Sequence, residues 1–395
     1  MTSTHTAVRI TTIDFLRGAV MIIMALDHTR DYFHAYSYYY NPVDLQHTSP
    51  AIFFTRWITH FCAPVFVFLA GTSAFLSGQK KTKQQLSVFL LKRGLWLMLL
   101  EITLVSFGWF FNPLFSLWVL QVIWVLGLSM IVLAGLVHLP VKAIMAIGLA
   151  MVLGHNLLDN MHVAGNTATA FGWAELHDFR AFTFRNIIVV SAYPLIPWAG
   201  VMALGYCFGR LFLPAFDAAR RKRTLLIMGA AGITLFILLR FINIYGDSSR
   251  WAEQGSAVFS LMSFLNTSKY PPSLLYLLMT LSPAFLFLAV ADQFSSRIAA
   301  IVSTYGRVPM MYYLVHIYVL HFFALLLAQF TGFGWHQMII TKGWITDNAS
   351  LQGYGLSLPM VYIIWLVTVL AMYPLCRKYD RYKQNNRQQW WLSYL

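Results

Sequence analysis

Acidic side chains are scarce in this chain: 14 Asp and Glu stand against 28 Lys and Arg, and charged residues of both signs make up only 11% of 395 positions. A soluble globular domain carries about 25% charged residues. With 58% hydrophobic residues and a mean hydropathy of +0.62, a soluble reading is excluded. Cysteine is equally sparse. Cys62, Cys207 and Cys376 are an odd count and all lie in or beside apolar runs, so no disulfide framework is indicated. Also missing are HExxH, CxxC, a P-loop and the glycine pattern of dinucleotide-binding folds. His316 and His321 come nearest to a ligand pair, but at i, i+5 they face different ways on a helix. No metal site is expected, and the chemistry is acid–base if there is any. Low-complexity runs, internal repeats and domain boundaries are absent too, which leaves one domain over residues 1–395.

What is present is a series of apolar runs of the roughly 20 residues that cross a bilayer as helices. The expected fold is an all-α polytopic membrane protein with about ten transmembrane helices, near 11–34, 52–77, 86–111, 114–137, 140–158, 185–210, 223–243, 271–292, 307–330 and 357–377. A net charge of +14 invites a nucleic-acid reading, but the cations fall in short loops between spans. With a cytoplasmic N-terminus, the inner segments hold 19 of the 28 Lys and Arg, so both termini are expected in the cytoplasm. Only Arg9 precedes the first run, and no small-residue cleavage pattern follows it, so this run is expected to be a retained span. The outer loops 35–51, 159–184, 244–270 and 331–356 are long and carry aromatic, His, Asp and Gly residues, as functional loops do. Tyr193-Pro194-Leu195-Ile196-Pro197 predicts a kink or re-entrant start to the sixth span.

The stretch from Asp14 to His28 is apolar enough to enter a bilayer yet contains Asp14, Arg17, Asp27 and His28. Ionisable groups at membrane depth face protein or a wet cavity and mark functional paths. At 1.5 Å per residue, Arg17 and His28 share a helix face roughly 16 Å apart along the axis. His60 and His316 fall at similar upper-middle depth, and any of the three histidines has the chemistry of a general base. Asp31, one turn beyond His28, is the local candidate for orienting its ring, whereas Asp27 points away. Glu101 and Arg240 are further intramembrane charges, for which structural pairing is the expected role.

Arg17-Gly18 followed by His28 resembles the first span of the transmembrane acyltransferase superfamily, and more closely the bacterial relatives of the heparan-α-glucosaminide N-acetyltransferase family. The similarity continues through Phe66-Val67-Phe68-Leu69-Ala70-Gly71, Pro197-Trp198-Ala199-Gly200, Asn266-Thr267-Ser268-Lys269-Tyr270-Pro271-Pro272 and Tyr305-Gly306-Arg307-Val308-Pro309. It implies a multi-pass enzyme of the bacterial inner membrane that takes an acetyl group from cytoplasmic acetyl-CoA. The group would pass to a hydroxyl or amine, commonly on a sugar, at the far side. In the lysosomal branch the key histidine lies in the loop after the first span. The nearest match here is His47-Thr48-Ser49, with a different spacing to Pro64, so the base is His28 or His47. Coenzyme A is polyanionic, and the basic inner face offers Arg17, Arg93, Arg210 and Arg307 to its phosphates. Acyl-CoA, a carbohydrate acceptor and membrane lipid are the expected partners, with a homodimer left open. The rival reading is a transporter or flippase of a lipid-linked or small polar substrate, since broken helices with midplane charges also suit a translocation path.

Overall fold

The first helix, α1 (Thr4–Phe33), runs for 30 residues, and the remaining elements are arranged about it. In this computed structural model the described residues are 4–294, 296–342, 348–386, 388, 389 and 392, with side chains described from residue 12 onward. The next span is broken into α2 (Pro50–Thr59) and α3 (Cys62–Gly78). Pro64 has no N–H to offer the carbonyl of His60, and that oxygen instead accepts a hydrogen bond from Tyr276 Oη at 2.8 Å. A capping box between Thr82 and Gln85 starts α4 (Lys83–Leu100), which passes through a π-helical turn, Glu101–Val105, into α5 (Ser106–Phe110).

The helices α6 (Val122–Leu136), α7 (Val141–Gly154) and α8 (Ala168–His177) follow. Then come α9 (Leu195–Phe208), α10 (Ala218–Ile242), α11 (Ala257–Leu265) and α12 (Leu274–Val290). The chain closes with α13 (Ser296–Arg307), α14 (Pro309–Phe330) and α15 (Leu358–Asn385). Among the described residues, seven helical segments are long and apolar enough to cross a membrane. Leu238 and Phe241 of α10 and Ile363, Leu366 and Leu370 of α15 are exposed on the outside of the bundle, an apolar surface suited to lipid rather than water.

Two expected spans begin otherwise than as helices. β1 (Leu117–Leu120) pairs in parallel with β3 (Ile187–Ser191), Leu117 opposite Ile188 and Leu120 opposite Ser191. β2 (Arg180–Phe184) pairs antiparallel with β3, Arg180 opposite Ser191. The β-branched run Ile187-Ile188-Val189-Val190 favours a pleated strand, but its length and apolarity match the head of a span. The two prolines of the sixth span fall at the N-cap (Pro194) and in the first turn of α9 (Pro197), where no N–H is needed, so α9 starts cleanly after the strand.

Glycine permits the tightest helix contact. A Cβ on Gly18 of α1 would stand 1.9 Å from the Val302 carbonyl oxygen of α13, and a Cβ on Gly306 would stand 2.0 Å from that of Asp14. The motifs around Arg17-Gly18 and Gly306-Arg307 are therefore two sides of one contact. α15 returns to the same end of the bundle: Arg307 Nε donates to Asp380 at 2.9 Å, and Asp14 feels the charges of Arg17, Arg307 and Asp380. The Asp14 end of α1 and the Asp380 end of α15 thus meet at one end of the bundle.

Candidate active site

His28 of α1 and His316 of α14 meet in the interior. His28 Nδ1 lies 2.7 Å from His316 Nε2, with the two rings nearly parallel at 10°. His316 Nδ1 is 2.7 Å from the carbonyl oxygen of Tyr312. A carbonyl only accepts, so His316 carries its proton on Nδ1. With both rings neutral, its Nε2 then accepts from the Nδ1–H of His28. That arrangement leaves the lone pair of His28 on Nε2, the nitrogen turned away from His316. Trp109 packs edge-on against His28 at 4.8 Å, and its indole N–H donates to Tyr313 Oη at 3.1 Å, which fixes both walls around the imidazole.

His28 opens onto a cavity of about 510 Å³, within the range of small-ligand sites. Asp27 and Asp31 line it from α1, Arg56 from α2, Gln121 and Tyr193 from just beyond β1 and β3, and Lys269 and Tyr270 from the strap before α12. The sheet that replaces two helix starts is what brings Gln121 and Tyr193 to this wall. Asp27 bridges Arg30, at 2.9 Å, and Arg56, while Arg30 also contacts Asp31. The Lys269 ammonium sits over the rings of Tyr270 and Tyr193 at 5.1 and 6.0 Å, and no carboxylate pairs with it among the described residues. Burial raises the pKa of the Tyr270 phenol, but the charges of Lys269 and Arg56 and the hydrogen bonds from Tyr193 and Lys269 outweigh it, leaving the phenol more acidic than usual.

The strap is held from behind. Asp247 accepts from the backbone N–H of Ser268 at 3.0 Å and from the hydroxyls of Ser268 and Ser273 at 2.9 and 2.7 Å. Arg240 donates to four carbonyls, those of Phe264, Ser249, Ser263 and Asn266, and so caps the end of α11. Glu101 also has a structural partner. Its carboxylate accepts from the backbone N–H of Trp124 at 3.1 Å, closing the N-terminus of α6.

The other candidate residues are distributed unevenly. Asp31 lies on the cavity rim but contacts Arg30, and the group bonded to His28 is His316, 288 positions away. His60 is buried against Tyr276 and lines a neighbouring pocket of about 200 Å³ that shares Arg56, Lys269 and Tyr270 with the main cavity. His47 is exposed, bonded to Asp44 at 2.7 Å and stacked on Tyr40 at 4.6 Å. Arg17 spends its guanidinium on Asp14 (2.9 Å), the Gly306 carbonyl (3.1 Å) and Ser73 Oγ (2.8 Å). Arg93 and Arg17 share a charged cluster with Lys383, Asp14 and Asp380, and Arg307 joins it through Asp380. Arg210, in the 3-10 turn Gly209–Phe212, is exposed and stands apart from that cluster. Lys269 and Tyr270 stand in one of the family-like motifs but were not singled out as site residues, and Arg56 had no local signature, because their role depends on which loop folds over which helix.

A helical bundle with an apolar exterior, a buried imidazole pair and a polar cavity at helix depth defines a polytopic membrane protein with an internal polar site. The sequence profile described as heparan-alpha-glucosaminide N-acetyltransferase, catalytic, matches residues 9–242. The chain belongs to that family, and with it to the membrane acetyltransferases. The matched segment holds His28 and Arg56, whereas His316, Lys269 and Tyr270 lie beyond it. A search of curated proteins finds no match.

Proposed function

We propose that the protein transfers an acetyl group from acetyl-CoA to a hydroxyl or amine of an acceptor, most simply a sugar, with His28 as general base. The observation that carries this reading is the chain Tyr312 carbonyl, His316, His28, which leaves one imidazole lone pair facing a cavity of about 510 Å³. A thioester is already activated, so what remains is to hold the reactants together and to take a proton from the acceptor as it attacks. His28 Nε2 accepts that proton as the new C–N or C–O bond forms. Charge gathers on the carbonyl oxygen, for which Lys269 and the acidic phenol of Tyr270 are the available donors. The C–S bond then breaks, and the proton passes from His28 to the departing thiolate.

Both termini are proposed to be cytoplasmic, with the donor arriving from that side. The cluster of Arg17, Arg93, Arg307 and Lys383 against two carboxylates supports this reading as the end that meets the phosphates. Residues 1–395 act as one unit, because α14 supplies the partner of His28. Inverted and right-side-out vesicles of a bacterial inner membrane test the proposal: radiolabelled acetyl-CoA should be used only from the cytoplasmic face, and His28→Ala should lose roughly 10²–10⁴ of the transfer rate. Unchanged transfer in His28→Ala would overturn the assignment.

A further inference from the structure

We propose that His155, Asp159 and His177 bind one Zn²⁺ ion, which fastens the outer loop between α7 and β2 to the end of the bundle. His155 lies in the 3-10 turn His155–Leu158 that ends α7, Asp159 closes that turn, and His177 is the last residue of α8. One ligand atom from each can be chosen so that all lie within 4.8 Å of one another. The imidazoles are 5.5 Å apart between ring centres, and His177 Nε2 is 3.1 Å from Asp159 Oδ1.

Burial turns this proximity into a site. His155 and His177 are each 2% exposed. Neither nitrogen of His155 has a hydrogen-bond partner among the described residues, nor does Nδ1 of His177. A buried polar atom left unbonded is destabilising and rare in native interiors, and a cation between the rings gives one of the two His155 nitrogens a partner. Two imidazoles and a carboxylate suit Zn²⁺, with water in the fourth position; Mg²⁺ and Ca²⁺ prefer all-oxygen shells. The carboxylate already has its outer support: Asn156 Nδ2 donates to Asp159 Oδ2 at 2.9 Å, and Asn156 Oδ1 accepts from the backbone N–H of Leu274 at 2.9 Å. Leu274 begins α12 immediately after the strap that carries Lys269 and Tyr270. The ion would therefore anchor α7, α8 and the start of α12 together.

Detergent-purified full-length protein, stripped with chelator and titrated with Co²⁺, tests the site. The expected result is one Co²⁺ per chain with the visible absorption of a tetrahedral N/O complex, displaced by Zn²⁺, and a melting temperature that rises with added Zn²⁺. Asp159→Asn and His177→Gln should each weaken binding by about a hundredfold and abolish the Zn²⁺-dependent rise in melting temperature. His162→Gln, at an exposed neighbour paired with Asp178, should bind as the parent does. A variant that melts as the metal-free parent is folded, so its lost binding counts for the site. No saturable one-to-one binding by the parent, or parent-like binding by the double variant His155→Gln/His177→Gln, would overturn the proposal.

Discussion

Replacing His316 separates a proton-relay partner from a packing residue. Its Nε2 accepts the Nδ1–H of His28 at 2.7 Å in a site from which His316 itself is fully excluded from solvent. When His28 takes up a proton, this becomes a hydrogen bond from a charged donor, of the kind that contributes about 1.5–3 kcal/mol. Losing that contribution in the transition state slows the reaction by roughly 10–150-fold, at about 1.4 kcal/mol per decade. His316→Ala should therefore lower kcat within that range with little change in the KM for acetyl-CoA, because the ring stands behind the base and not in the cavity. His316→Gln, whose amide oxygen can still accept from His28, should recover part of the loss. Removing the base itself is expected to cost more, about 10²–10⁴. The double variant should be no slower than His28→Ala, since a partner has nothing left to orient. Steady-state acetyl transfer in membrane vesicles measures all four proteins. Parent-like kcat in His316→Ala, or losses that multiply in the double variant, would refute the relay.

Tyr270→Phe removes one of the two donors available to the developing oxyanion and should lower kcat by about 10²-fold, on the scale of lost oxyanion-hole donors; an unchanged kcat would exclude the phenol. His47→Ala should retain near-parental transfer in the same assay, since the ring is exposed and bonded to Asp44; a loss equal to that of His28→Ala would move the base to the outer loop. Gly306→Ala should destabilise the fold by about 1–3 kcal/mol or more, because the new methyl meets the Asp14 carbonyl oxygen at 2.0 Å and backbone cannot step aside cheaply; thermal unfolding in detergent reads this directly.

Legibility in the sequence followed the range of the forces involved. Insertion into a bilayer depends on runs of consecutive side chains, and the long apolar stretches identify the class of fold from local composition alone. Arg17 stood out for a similar reason, as a charge inside an apolar run, but the close contact of Gly18 with Val302 of α13 was not legible, because its partner lies far along the chain. His28 stood out in the same stretch and His316 at a similar depth, but the orienting partner expected for His28 was Asp31. Asp31 is one helical turn away and His316 is 288 residues away, and only the packing of α14 against α1 decides that the imidazole nitrogen reaches His28. Strand and span were likewise indistinguishable at 114–120 and 185–191, because a short apolar run has no period and its hydrogen-bond partner lies on another segment. His155 and His177 carry no ligand motif, being 22 positions apart with a loop between, and it is the folding of α8 onto the end of α7 that closes them around Asp159. Apolar burial and helix caps can be read residue by residue. A site whose atoms come from several helices, the ends of a sheet and a strap exists only once tertiary packing has paid the entropy of bringing them together.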